Sequence, residues 1–172
     1  MGYYVRAFCS NSKIPNLADI QAWLRERGSN AVLDETNHAV ESARAGELKP
    51  SILDLNAPNW EQIAIAYRAG KLPILVECNR DDGSGECLMR EEVAEFVELV
   101  KDYHSVATQL VLKHLAATKF IIACQLPTSD IEDDGYDANG EFLSFFVERC
   151  GGMIQADGEG FYDKNKVVVP LK

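Results

Sequence analysis

Residues 60–79 read WEQIAIAYRAGKLPILVECN. Two apolar runs, Trp60 to Arg68 and Lys71 to Asn79, flank Ala69-Gly70. The second is rich in Ile, Leu and Val, which suit a pleated surface, and the glycine between the runs tolerates the positive φ of a tight turn. The stretch therefore predicts a β-hairpin. Pro73 has no N–H to give to a ladder, which places it near the start of its strand or at a non-bonded position.

Toward the N-terminus, Tyr3 to Cys9 is short and β-rich, and Asn16 is positioned to cap a helix whose Leu17, Ile20, Trp23 and Leu24 recur at spacings of three and four until Gly28. Ala31 to Asp34 reads as a second strand. Residues 35–50, ETNHAVESARAGELKP, are polar and mostly aperiodic and predict a loop with room for a helical turn, after which Ser51 to Leu55 returns to extended structure. Toward the C-terminus, residues 79–86 form a turn. Val93, Phe96, Val97 and Val100 mark one helix and Leu110, Val111, His114 and Leu115 another, with a break near His104-Ser105. Phe120 to Leu126 predicts a buried strand, Glu141 to Cys150 a helix, Met153 to Ala156 a strand, and Phe161 to Leu171 a terminal strand or hairpin.

This order predicts one α+β domain over residues 1–172, a two-layer sandwich in which an antiparallel or mixed sheet carries its helices on one face. Residues 3–35 and 118–160 echo one another: a strand with a cysteine near its end, then an amphipathic helix that finishes in a charged pair, a glycine and another strand. Duplication would make two ferredoxin-like halves, whereas the generic periodicity of strand-helix-strand units accounts for the same echo without it.

A formal charge of −10 and a pI near 4.7 disfavour nucleic acid or an anionic membrane as partners and favour a basic protein or a cation. Cys9, Cys78, Cys87, Cys124 and Cys150 are odd in number, and Cys9, Cys78 and Cys124 fall in apolar runs, as reduced core thiols do; this points to a cytoplasmic protein. No C-x-x-C spacing suggests zinc, and no apolar stretch is long enough to span a membrane. No G-x-S-x-G elbow or phosphate-binding loop appears, and Cys9 and Cys124 have no histidine near them in sequence, so an enzyme is not the favoured reading.

The segment Ser129 to Glu141, SDIEDDGYDANGE, holds six carboxylates. From Asp130 its register resembles an EF-hand loop, in which Asp130, Glu132, Asp134 and Glu141 would ligate calcium together with the Tyr136 carbonyl, and Gly135 takes the position of the sharp turn. It departs from that pattern in the long Glu132, in Asp137 at an ordinarily apolar position, and in the strand-like CQLPTS before it. The bland alternative is a solvated turn in which Asp137 or Asn139 caps a helix beginning near Glu141. Two functional readings follow. In the first, a non-enzymatic interaction or regulatory module presents Asp133, Asp137, Asp157 and Glu159 to a basic partner. In the second, calcium or magnesium at Asp130, Glu132, Asp134 and Glu141 serves a structural role or metal-assisted hydrolysis.

Overall fold

The computed structural model describes residues 2–84 and 86–171. In chain order the elements are β1 Tyr3–Cys9, α1 Leu17–Glu26, β2 Val32–Asp34, α2 Thr36–Arg44, β3 Gln62–Ala66, β4 Ile74–Arg80, α3 Leu88–Val100, α4 Val106–Ala117, β5 Phe120–Leu126, α5 Asp133–Arg149, β6 Gly152–Ala156, β7 Gly160–Asp163 and β8 Lys166–Pro170. The strands form one antiparallel sheet in the order β2-β3-β4-β5-β1-β6-β7-β8. The fold is α+β, and residues 60–79 form the expected hairpin, with Ile63 opposite Val76, Gly70 at φ +75° and Pro73 just ahead of β4.

At the centre, β1 and β4 both run antiparallel to β5 between them, and β5 and β6 both run antiparallel to β1 between them. Two split β-α-β units, one crossing over through α1 and the other through α5, thus interlock as β6-β1-β5-β4, the arrangement of one ferredoxin-like plait. The first split unit extends beyond residues 3–35 and the second lies within residues 118–160, and the two together make a single plait where the sequence raised the prospect of two. The return strand of the first unit is β4; β2 continues to the sheet's outer edge beside β3.

Side-chain alternation divides the core in two. Val5, Ala7 and Cys9 of β1 face α1 and α5, together with Phe120, Ile122 and Cys124 of β5. Phe8 and Ile121 face the other way, against Phe96 and Val100 of α3 and Val111 and Leu115 of α4. The sheet therefore carries helices on both faces in its middle, a third layer added to the expected two, because the insertion between β4 and β5 folds back over the second face. α4 reaches as far as β8, whose Val169 packs in that second core.

Two stretches, residues 36–55 and the start of α5, differ from their sequence reading. Residues 36–44 are helical: Glu35 accepts a hydrogen bond from the Asn37 N–H at 3.0 Å, and the buried stripe is made of Ala39, Ser42 and Ala43, too small to register as hydrophobic periodicity. The segment after it makes no sheet ladder. It is held by buried Asp34, whose Oδ1 accepts from the Ile52 N–H and the Ser51 hydroxyl, both at 3.1 Å, while Oδ2 lies 2.6 Å from Nδ1 of His38. The second difference, the start of α5, bears on function.

Candidate functional site

Helix α5 begins at Asp133, eight residues ahead of the expected Glu141, so most of the supposed calcium loop is helix. Asp133 and Asp134 occupy its first turn, where the N-terminal end of the helix dipole favours negative charge. The N-cap is Glu132, with no side-chain cap bond, and Asp137 and Asn139 lie inside the helix. The glycines that suggest a loop have other causes. A Cβ on Gly135 would stand 2.6 Å from Cγ1 of Ile131 and 2.8 Å from Cζ of Tyr67, so this turn of helix packs directly on those two side chains.

The carboxylates of the segment separate into groups. Asp130, Glu132 and Asp134 meet two cations from the β3–β4 turn: Arg68 lies 2.5 Å from Glu132 and 3.3 Å from Asp134, and Lys71 lies 2.8 Å from Glu132 and 3.6 Å from Asp130. Asp130 also accepts the Leu72 N–H at 2.6 Å. Hydrogen bonds from Arg68 and then Lys71 hold the Glu132 carboxyl down to about 2. The repulsion evident in the sequence is thus met from within the chain. Glu141 stands apart, seven residues along α5 from Asp134, or roughly 10 Å of helix rise. Its carbonyl accepts from Nε1 of Trp23 at 3.1 Å, and its Oε2 is buried without a hydrogen-bond partner.

Among the described residues the one set of three metal-type ligand atoms within 4.8 Å of one another is Asp81, Asp82 and Cys87. There Asp81 is paired with Arg90 at 2.5 Å, and the two carboxylates accept the N–H groups of Gly83 and Ser84 at 2.9 and 2.8 Å. These bonds organise the turn over residues 81–84; residue 85 of the turn expected over 79–86 lies outside the described residues.

The four residues expected to meet a partner also divide. Asp133 and Asp137 are exposed on α5, one turn apart. Asp157 is engaged internally, Oδ1 with Arg6 at 2.7 Å and Oδ2 with the Tyr4 N–H at 3.2 Å. Glu159 is exposed on the β6–β7 turn and accepts the Tyr162 hydroxyl.

Glu159 also stands at the rim of a cleft of about 1040 Å³ that the sequence did not reveal. α5 packs on β1 and β6, and the sheet face beside the helix, out to β7, forms the floor. Tyr3 and Val5 of β1, Ile154 and Ala156 of β6 and Tyr162 of β7 line it. The wall is one stripe of α5, Tyr136, Asn139, Gly140, Leu143 and Val147, at helical spacing. Asp157, Glu159, Glu148 and Lys164 bring charge to the boundary. Burial, followed by the field of Glu159, raises the Tyr3 hydroxyl to about 12, and the hydrogen bond to Glu159 does the same for Tyr162, so both phenols remain neutral donors at ordinary pH. Asn139 is 5% exposed, and its Oδ1 has no hydrogen-bond partner. A helix running from Asp133 is the signal that would have exposed this stripe, and reading residues 133–140 as a loop concealed it.

Elsewhere the chemically active side chains are occupied. All five cysteines are free and buried. Nε2 of His114 lies 2.6 Å from the Phe8 carbonyl. Among the described residues no helix is long and apolar enough to cross a membrane. No family model matches the chain, and neither the curated proteins nor the solved structures contain a match to it.

Proposed function

We propose that this protein is a non-enzymatic interaction module that binds a basic protein partner across the face containing the cleft beside α5. The observation that carries this reading is the cleft itself: a large, mainly apolar and aromatic recess whose boundary charges are Asp157, Glu159, Glu148 and Lys164, on a chain of net charge −10. Exposed Asp133 and Asp137 extend negative charge along the same helix. Such a surface steers a positive partner inward and offers apolar area once it arrives. Buried, free thiols fit a reducing compartment, which makes the cytoplasm the setting we propose.

Calorimetry with a short Lys- and Leu-containing peptide and its Glu-containing counterpart tests the reading. Binding of the basic peptide alone, weakening as salt rises, is the expected result. Combining Asp133→Asn, Asp137→Asn and Glu159→Gln should weaken it about tenfold, since exposed ion pairs contribute a few tenths of a kcal/mol each. Equal binding of both peptides, or none of either, overturns the proposal.

A further inference from the structure

The cleft contains a feature that internal packing does not explain. Gly140 lies in the middle of α5 on the stripe that walls the cleft, and a Cβ placed there would meet nothing within 4 Å. A glycine in a helix interior is less stable than alanine, and this one is not required by a neighbour, unlike Gly135. It leaves a bare strip of helix backbone against which an incoming chain can lie. One residue away, the Asn139 amide oxygen has no donor. Asn139 itself is one of the residues that line the cleft.

Across the strip, Glu159 is anchored by its own backbone. Its N–H donates to the Ala156 carbonyl and its carbonyl accepts from the Leu171 N–H, each at 3.1 Å, and the Tyr162 hydroxyl engages one carboxylate oxygen. The Tyr3 hydroxyl also hydrogen-bonds this carboxylate, which, with about four lone-pair sites, keeps capacity for a further donor. A cleft lined by Leu143, Val147 and Ile154 and by the Tyr3, Tyr136 and Tyr162 rings, with a fixed carboxylate and an asparagine among its lining groups, suits a ligand with a methylene stem and a cationic N–H head.

Resting on the basic-partner reading above, we propose that the cleft seats a lysine side chain of the partner, its stem along Gly140 and its ammonium between Glu159 and Asn139. Lys164 at the boundary sets a limit on this pocket, since a second ammonium there would be repelled.

Amide chemical-shift titration of the full chain with n-hexylammonium chloride tests the proposal, with hexanoate and hexanol as controls. Saturating shifts clustered at residues 136–147 and 154–162, with a dissociation constant on the order of millimolar for so small a probe, are expected. Hexanoate should give none. Gly140→Leu, which fills the strip, should weaken binding at least about tenfold, and Glu159→Gln and Asn139→Leu each about fivefold, the loss of one charge-assisted and one ordinary hydrogen bond. Gly140→Leu keeps the test decisive should the buried Asn139→Leu chain fail to fold. Hexanol shifting the same residues as strongly as the ammonium would make the cleft a site for apolar ligands and overturn the lysine assignment, as would an unperturbed cleft. The basic peptide binding while hexylammonium leaves the cleft silent sinks this assignment alone; hexylammonium binding while the peptide does not sinks the basic-partner reading.

Discussion

Asp157 is fixed by Arg6, whose Nη1 approaches its Oδ1 to 2.7 Å, and this contact ties the central strand β1 to the turn that carries Glu159. Arg6 points to the second face of the sheet. There it also pairs with Glu92 of α3, bonds Gln155 at 2.8 Å and lies 5.2 Å from the centre of the Phe96 ring. The Arg6 and Glu92 side chains are 14% and 18% exposed, so the pair is largely removed from water, and burial holds the Glu92 carboxyl above its usual range despite the arginine beside it.

Breaking such a pair from one side strands a charge. Arg6→Met should destabilise the protein by about 3 kcal/mol, because Glu92 and Asp157 lose their cation together. Adding Glu92→Met should recover part of that loss, since two apolar side chains replace a desolvated pair. A urea-denaturation cycle measures both steps, and a double variant less stable than Arg6→Met would contradict the account.

Two glycines of α5 should respond in opposite directions. Gly135→Ala drives a methyl into Ile131 and Tyr67 and should cost about 1–3 kcal/mol. Gly140→Ala meets nothing and should stabilise the chain by about 0.5–1 kcal/mol through helix propensity. Thermal denaturation of the two variants separates a glycine required by packing from one that packing does not require. Destabilisation by Gly140→Ala would mean that the wall of the cleft is closed where the structure has it open.

The same helix shows how far the sequence could be read. Leu17, Ile20, Trp23 and Leu24 bury large side chains at helical spacing, so α1 is evident from pattern alone, and the Ile- and Val-rich run before Asn79 made the hairpin equally plain. The first turns of α5 offer instead Gly135, Ala138, Asn139 and Gly140, which carry no large apolar side chain to mark a helical period, and Gly135 packs on Tyr67 and Ile131, distant or unremarkable in the sequence. The cleft depends on a topological fact, that β7–β8 extends the sheet beyond the reach of α5, and no local spacing encodes that. Of the acidic residues singled out, Glu159 reaches the cleft as a boundary charge held by tyrosine hydroxyls, whereas Asp157 needed Arg6 to be placed across β1 before its role was visible.

The thiols should be inert in the native state. Burial raises Cys9 and Cys124 well above the ordinary thiol range and Cys78 and Cys150 to about 11, so these groups carry negligible thiolate at pH 8. An aromatic disulfide reagent at pH 8 should label the native protein only as fast as it opens, and the unreduced, denatured chain should titrate five thiols. Two or more cysteines reacting within the mixing time would contradict their burial.

Acid should act on the cluster at the start of α5 in a defined window. The Glu132 carboxyl is lowered from 4.5 to about 2 by its hydrogen bonds to Arg68 and Lys71. A carboxylate depressed in this way favours the folded state above its unfolded value, and that contribution is lost as pH falls from about 4.5 toward 2. Because the side chains are exposed, the effect on melting should be modest and should shrink with salt. Carbon-detected titration should place the Glu132 midpoint near 2, and Arg68→Gln should raise it. The same cations should govern metal affinity. With Arg68 and Lys71 in place, calcium must displace two internal ammonium-type partners, so the parent should show no calcium-dependent rise in melting temperature at about 1 mM, a concentration at which even weak calcium modules fill. In the Arg68→Gln/Lys71→Gln variant Asp130, Glu132 and Asp134 lose those partners, and weak calcium binding should emerge there, unaffected by Glu141→Gln because Glu141 lies too far along the helix to join them. Calcium stabilising the parent, and losing that effect in Glu141→Gln, would restore the calcium-loop reading in place of the charge cluster.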